Sequence, residues 1–530
     1  MYMDIIIKNG RVVDGNANPW FQADIGIKGE KIAKVGDLGG ADSETIIDAE
    51  GMVVSPGFID IHNHSDVALL VEGRAESMVH QGVTTVITGN CGNSPFPLMG
   101  DALEDAVSSY GSQYDLEVDW TEMEGYEGRL LRQGISVNAG VYVGHGTLRK
   151  AVMGRDKTEL TSADLEEMKE LVEVAMAQGC FGISTGLGYF PGMYAQTDEI
   201  VELAKVASRH GGVYSTHCRA THTFPHNLME AIEIGERAGI PVQMAHIGSS
   251  TGQRLNWGRA RSVTLNLVDA ARARGIDFTA DIYPYTISGG GLTMYVPEWA
   301  QEGGTDRMLE RLADPDTRER MRAEVDEMVR HRSWSQLLLH NLSSEKYGGC
   351  TGKTVQEIAD AEGVDPFDLA CDMLIQEGGR VPFMGMFGIE EDIQALMRHE
   401  AVMIGSDGTA MSPGGAPEGG PVHPRNYGTF ARVIETYIGG GVLSLSQGVH
   451  KMTGMAAWRL GLRDRGVIAP GAYADITIFD PSLVREKFTL TEAPGFPDGI
   501  PHVLVNGVLT IESGEHTGAK AGKVLHNQRG

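Results

Sequence analysis

The chain has 530 residues, 42% of them hydrophobic, enough to bury one large core or two to three ordinary ones, so disorder is not the expectation. Lys plus Arg total 44 and Asp plus Glu total 71, a formal net charge of −27. That charge repels phosphate backbones and anionic lipid heads, which excludes nucleic acid and membrane surfaces as partners and leaves a small molecule. An anionic substrate would need local positive charge, from a metal ion or an arginine.

The five cysteines, Cys91, Cys180, Cys218, Cys350 and Cys371, are odd in number and lack CxxC spacing. They argue against a disulfide framework and for a reducing, cytoplasmic location. The opening MYMDIIIKNG has no basic region ahead of a long apolar run, and no later stretch reaches the ~18 apolar residues of a membrane span.

Residues 4–55 read as short strands between turns: DIIIKNGRVVDG, ADIGIKGEKIAKVGD and TIIDAEGMVVSPG. The far end repeats the style in GVIAPGAYADITIFD and HVLVNGVLTIESG, where Val505-Asn506-Gly507 echoes Lys8-Asn9-Gly10. The two ends are expected to pair. Between them, short apolar runs alternate with helical patterns, the mark of βα units and a parallel sheet. The candidate strands are FIDIHNH, TTVITGNC, VNAGVYVGHG, CFGISTGL, GVYSTHCR, VQMAHIG, DFTADIYPY, SQLLLHN and AVMIGSDG. Nine is one too many for an eightfold barrel, so SQLLLHN is assigned to an insertion with the charge-dense helix TDRMLERLADPDTRERMRAEVDEMVRHR, read as a solvated face. The prediction is an α/β fold: a TIM-type (β/α)8 barrel, a small β-sandwich domain from both chain ends, and an insertion after the seventh barrel strand. Its expected boundaries are 1–56, 57–287, 288–345, 346–465 and 466–530.

Each apolar run ends in a polar or ligand-type residue: His62 and His64, Cys91, His145, His217 with Arg219, His246, Asp281 with Tyr283, and Asp407. The C-terminal strand ends of a barrel build one mouth, so these distant residues converge there. Residues i and i+2 of a strand share a face, so His62 and His64 point together, as do His217 and Arg219. Four imidazoles, a thiolate and a carboxylate suffice for one closed zinc site or a pair of weaker ones. Taken singly, each has a plainer reading: a strand-end histidine is ordinarily a hydrogen-bonded structural residue, Cys91 a buried small hydrophobe, Asp407 in GSDG a turn residue. His145 is either a donor to a developing oxyanion or structural.

The blocks SPGFIDIHNHSD, VTTVITGNCGNSPFP, STGLGYFPG, THCRA, MAHIG, NWGRA, DIYPY, IGSDG, HPRNYGTFARV, GVIAPGAYADITIFDP and HTGAKAGKVL, in this order, resemble the amidohydrolase superfamily, and within it the D-aminoacylase (N-acyl-D-amino-acid deacylase) group. GNCG discriminates most, because many superfamily relatives use a carboxylated lysine where this group places a cysteine. The resemblance implies zinc-dependent hydrolysis of an N-acyl-D-amino acid. It implies a tight zinc on Cys91, His217 and His246, a weaker second position at His62, His64 and Asp407, and Asp407 as general base and then general acid. Arg425, Tyr189 and Tyr283 match positions that hold the substrate carboxylate or line its pocket. One block departs: His246-Ile247-Gly248 lacks the lysine the group carries two residues after the histidine, and Ala220-Thr221-His222 replaces an acidic stretch. Arg425, with Arg254 or Arg259, is the cation left to compensate. The alternatives are a cyclic amide hydrolase of hydantoinase or dihydroorotase type, and an inactive scaffold, which the intact ligand set disfavours.

Overall fold

The computed structural model describes residues 2–219, 224–247, 259–330, 332–412, 422–487 and 495–529. Gly248, Arg254 and the Ala220-Thr221-His222 block lie outside these, and Arg259 is described only as the start of the helix Arg259–Ala273.

At the centre is a ring of parallel strands: β1 (Phe58–Asp60), β2 (Val83–Thr88), β3 (Asn138–Val141, continuing at Val143–Gly144), β4 (Gly182–Gly186), β5 (Val213–His217), β6 (Val242–Met244), β7 (Phe278–Ile282) and β8 (Val402–Ile404). Each pairs in parallel with the next. The ring closes just beyond β1 and β8, where Asn63 bridges Gly408 and Asp407 N–H donates to the His62 carbonyl at 2.8 Å. Strand alternation divides the residues of this ring between two cores. Val402 and Ile404 pack outward against helices, while Met403 joins Ile59, Ile61, Ile87, Phe181 and Val213 in a separate inner cluster. Met455, Ala456 and Leu460, from the helix Gly454–Leu460, belong to that inner cluster and plug the barrel.

The two chain ends meet where Val53–Pro56 pairs antiparallel with Ile476–Phe479, in one continuous nine-stranded sheet. Its buried face carries its own core of Ile5, Ile7, Ile25, Ile27, Ile476 and Ile478. The two Asn-Gly pairs do different work. Asn506 and Gly507, at φ 49° and 79°, turn the hairpin between His502–Val505 and Val508–Glu512, whereas Asn9, at φ 59°, sits at a register shift within Tyr2–Val12.

The insertion is a three-stranded antiparallel sheet, with Pro382–Met386 between Ile287–Gly291 and Leu337–Leu339, and helices around it. The charge-dense segment divides at Asp314-Pro315, where the Asp314 carboxylate caps Thr317 N–H and proline opens the next helix. Its Met308, Leu312, Met321 and Val325 face inward. The expected end of the insertion at 345 needs correction: its core runs from Leu292 through Leu342 and Tyr347 to Phe387. The helices Val355–Glu362 and Pro366–Gln376 carry the same amphipathic pattern whichever core they face, so periodicity could not assign them. No helix among the described residues is long and apolar enough to cross a membrane.

Candidate metal centre and substrate pocket

The loop after β2, Gly89-Asn90-Cys91-Gly92, takes left-handed backbone at Gly89, Cys91 and Gly92 (φ 74°, 51° and 76°). A Cβ on Gly89 would sit 2.0 Å from the Tyr142 carbonyl oxygen and one on Gly92 2.6 Å from Gly186 N, so only glycine lets the loop press onto β3 and β4. That approach brings Cys91 to the histidines. His246 (φ 34°) and Asp407 (φ 53°) share the unusual backbone. Such conformations cost about 1–3 kcal/mol each in a non-glycine residue and collect where a site over-determines them.

Cys91 Sγ lies 3.4 Å from His62 Nε2 and 3.8 Å from both His217 Nδ1 and His246 Nε2. The last two nitrogens are 2.7 Å apart. Asp407 Oδ1 is 3.0 Å from His64 Nε2 and 3.3 Å from His62 Nε2, and its Oδ2 accepts from Arg425 Nη1 at 2.5 Å. The donors form two groups that share the thiol: Cys91, His217 and His246, and His62, His64, Cys91 and Asp407. With zinc bonds of about 2.0 Å to nitrogen and 2.3 Å to sulfur, tetrahedral ligand atoms stand roughly 3.3–3.6 Å apart. The first group brackets that spacing, with nitrogens closer and sulfur slightly farther. A borderline-soft ion fits one thiolate and two imidazoles.

The electrostatics agree. Burial opposes charge on Cys91, but the His62 charge and hydrogen bonds from His217 and His246 prevail and hold the thiol well below its usual range. Burial likewise opposes the Asp407 carboxylate, and Arg425 with His62 more than offsets it, so Asp407 is ionised. Burial and the neighbouring His246 push His217 down, toward the neutral form a metal requires.

These groups floor a cavity of about 540 Å³. Tyr189 and Tyr283 line it: Tyr189 Oη is 3.1 Å from His217 Nδ1, and the Tyr283 ring lies 5.5 Å from the Arg425 guanidinium. Burial raises the Tyr189 phenol well above its usual value, so it stays a donor. The insertion supplies the opposite wall with Met294, Arg332, His340, Asn341, Phe383 and Phe387. Sequence reasoning missed these. SQLLLHN does end in polar residues as the barrel strands do, which was the available signal. His423, at the head of HPRNYGTF, is a further pocket residue that the sequence did not single out: it accepts from Arg425 N–H at 3.1 Å, and burial and the Arg425 charge keep it neutral.

His145 is not brought to this pocket, and the oxyanion role is corrected. It is fully buried, its Nε2 lies 2.8 Å from Glu199 Oε1, and Glu199 also holds the buried Arg149. Its inward face at a strand end serves an internal ion network. Arg219, which shares a face with His217, is occupied by Glu230.

A closed parallel barrel with a thiol, imidazole and carboxylate donor set at its strand ends has the form of a barrel enzyme with a metal centre at its mouth. The profile of the Amidohydrolase family matches residues 45–511, and the chain belongs to that family. It is 34% identical over 98% of its length to 97% of a D-aminoacylase from Alcaligenes xylosoxydans xylosoxydans. A solved D-aminoacylase structure, described as having a binuclear metal centre, superposes with a TM-score of 0.81 at 34% identity, covering 99% of this chain and 100% of that one. An N-acyl-D-glutamate deacylase from Bordetella bronchiseptica, solved with zinc and a phosphonate inhibitor, gives 0.82 at 29% identity, with coverage of 99% and 100%.

Proposed function

We propose that this protein is a zinc-dependent N-acyl-D-amino-acid deacylase, converting its substrate and water to a carboxylic acid and a D-amino acid. The observation that carries the reading is the convergence of Cys91, His217 and His246 beside an ionised Asp407 on the floor of a cavity that also holds Arg425. Cys91, His217 and His246 would hold the tight zinc, and His62 and His64, with Cys91 and Asp407, a weaker second position. When bound, the ion supplies Lewis acidity, which polarises an amide carbonyl and acidifies water.

The chain's residues supply the rest. Asp407 Oδ1, held by His64 and His62, takes the proton of the attacking water and returns it to the amide nitrogen. An amine leaves poorly unless protonated, so one carboxylate serves both steps. The Arg425 guanidinium can clamp a substrate carboxylate with two parallel hydrogen bonds, and Tyr189 and Tyr283 border the same cavity. Arg332 on the insertion wall adds positive charge, which a substrate anion needs in a chain of net charge −27. All five cysteines are free thiols, which supports a reducing, cytoplasmic location, and the cavity of about 540 Å³ over the ligand set suits a small-molecule amide.

Racemic N-acetylmethionine given to the zinc-loaded protein tests the reading, with the released amino acid resolved by chiral chromatography. D-Methionine alone is expected. Release of the L enantiomer, or turnover confined to cyclic amides such as hydantoins, would overturn it.

A further inference from the structure

The metal ligands rest on a buried polar chain that strand alternation places inside the barrel. Val242 and Met244 of β6, and Phe278 and Ala280 of β7, pack outward against the helices. Gln243, Thr279 and Asp281 therefore face the barrel axis. Gln243 and Thr279 are direct cross-strand partners, with Asp281 two residues further on. Each of the three is 1% exposed. A carboxylate so placed is costly unless both oxygens are satisfied.

Both are. Asp281 Oδ1 lies 3.0 Å from His62 Nδ1 and accepts the His246 backbone N–H at 2.8 Å. Oδ2 accepts from Gln243 Nε2 at 2.9 Å, and Gln243 Oε1 accepts from the Thr279 hydroxyl at 2.5 Å. The Thr279 donor fixes which end of the Gln243 amide faces the acid. Asp281 does not line the cavity, so it meets no substrate.

We infer that Asp281, oriented by Gln243, is the positioning carboxylate that ties the two candidate ligand groups together. The contact with Asp281 occupies His62 Nδ1 and fixes the ring, which leaves Nε2 as the atom turned toward Cys91 and Asp407. The same oxygen holds the backbone of His246 at its left-handed conformation, and with it a ligand of the other group. One side chain thus sets a ring orientation in one group and a backbone angle in the other. Gln243 acts one step further back, on the second oxygen only.

The inference rests on the zinc reading, and one experiment separates their failures. Metal-free wild type and the variants Asp281→Ala, Asp281→Asn and Gln243→Leu are titrated with Co2+, following the thiolate charge-transfer and d–d absorption. Loss of an outer carboxylate partner weakens a metal site by about 10–100-fold, and Asp281→Ala is expected to weaken every cobalt equivalent by that amount. Gln243→Leu, which removes only the support of the second oxygen, is expected to weaken cobalt binding in the same direction by a smaller factor. Asp281→Asn keeps an oxygen for the two N–H donors but turns its amide N–H2 toward Gln243 Nε2, and is expected to recover part of the affinity lost in Asp281→Ala. A purely structural role would lower the thermal midpoint of the metal-free variants and leave cobalt affinity untouched. Wild-type affinities in folded Asp281→Ala overturn the inference alone; should that variant not fold, wild-type affinities in Gln243→Leu do the same. A wild type that binds no cobalt overturns the zinc reading and this inference with it.

Discussion

Two buried polar clusters, one around His145 and one around Cys91, lie at the ends of the barrel strands, and the second is the one whose ligand-type atoms converge. Around His145 the opposite charges pair inside the protein: Nε2 meets Glu199, and the two Glu199 oxygens meet Arg149 at 2.9 and 2.6 Å, although His145 Nδ1 and Arg149 Nε make no hydrogen bond. Around Cys91 the ligand-type atoms face one another, with His217 Nδ1 and His246 Nε2 2.7 Å apart and Sγ 3.8 Å from each. Burial lowers the His145 pKa, with the Glu199 hydrogen bond pulling the other way. A closed ion network gains stability only. A set of converging ligand atoms can be completed by a cation, and that difference marks a site more clearly than burial or histidine content does.

The substitution expected to disturb the second cluster most is Cys91→Ala, since the thiol belongs to both donor groups. Elemental analysis should find the tight zinc gone and assays nearly all activity with it. Unchanged zinc would reduce Cys91 to a core residue. Asp407→Asn keeps the side-chain shape and removes its basicity. Turnover should fall by roughly 100-fold or more while tight zinc stays, and retention of most turnover would place the proton shuttle elsewhere.

Arg425→Ala sharpens the division between binding and chemistry. It should raise the Michaelis constant for an N-acyl-D-amino acid far more than it lowers turnover, because carboxylate binding is shared by ground and transition states. It should also move the acid limb of the pH profile. Burial raises the Asp407 pKa, and Arg425 is the strongest group holding it down, so without the arginine the basic form is lost at a higher pH. An unshifted limb with an unchanged Michaelis constant would remove Arg425 from the site. The smallest effect on the metal belongs to the first cluster. Glu199→Gln leaves Arg149 buried without its carboxylate and should cost about 3–5 kcal/mol of stability, read as a lower thermal midpoint, yet leave zinc per chain unchanged. Zinc lost together with Glu199 would mean that the clusters are one.

The sequence carried the barrel and the convergence of its strand-end residues because alternation and βα spacing are local signals. His62 and His64 two residues apart and the glycines around Cys91 were legible in the same way. His145 looked identical by those criteria, since what distinguishes it is Glu199, which approaches through the fold rather than along the chain. Arg332 was hidden for a related reason: a charged segment reads as a solvated face, and only the packing of the insertion on the barrel mouth turns its end inward, whereas His340 ends SQLLLHN in the same way as the barrel strands end. Asp281 was seen as a strand-end acid, but its backing by Gln243 is a cross-strand fact.

The most direct test is a titration of the metal-free protein with zinc, reading bound zinc and hydrolysis of an N-acyl-D-amino acid in the same samples. The account predicts that activity is absent without metal and rises with the first equivalent bound. Full activity before zinc is added, or stoichiometric zinc with no hydrolysis of any N-acyl-D-amino acid, would contradict it.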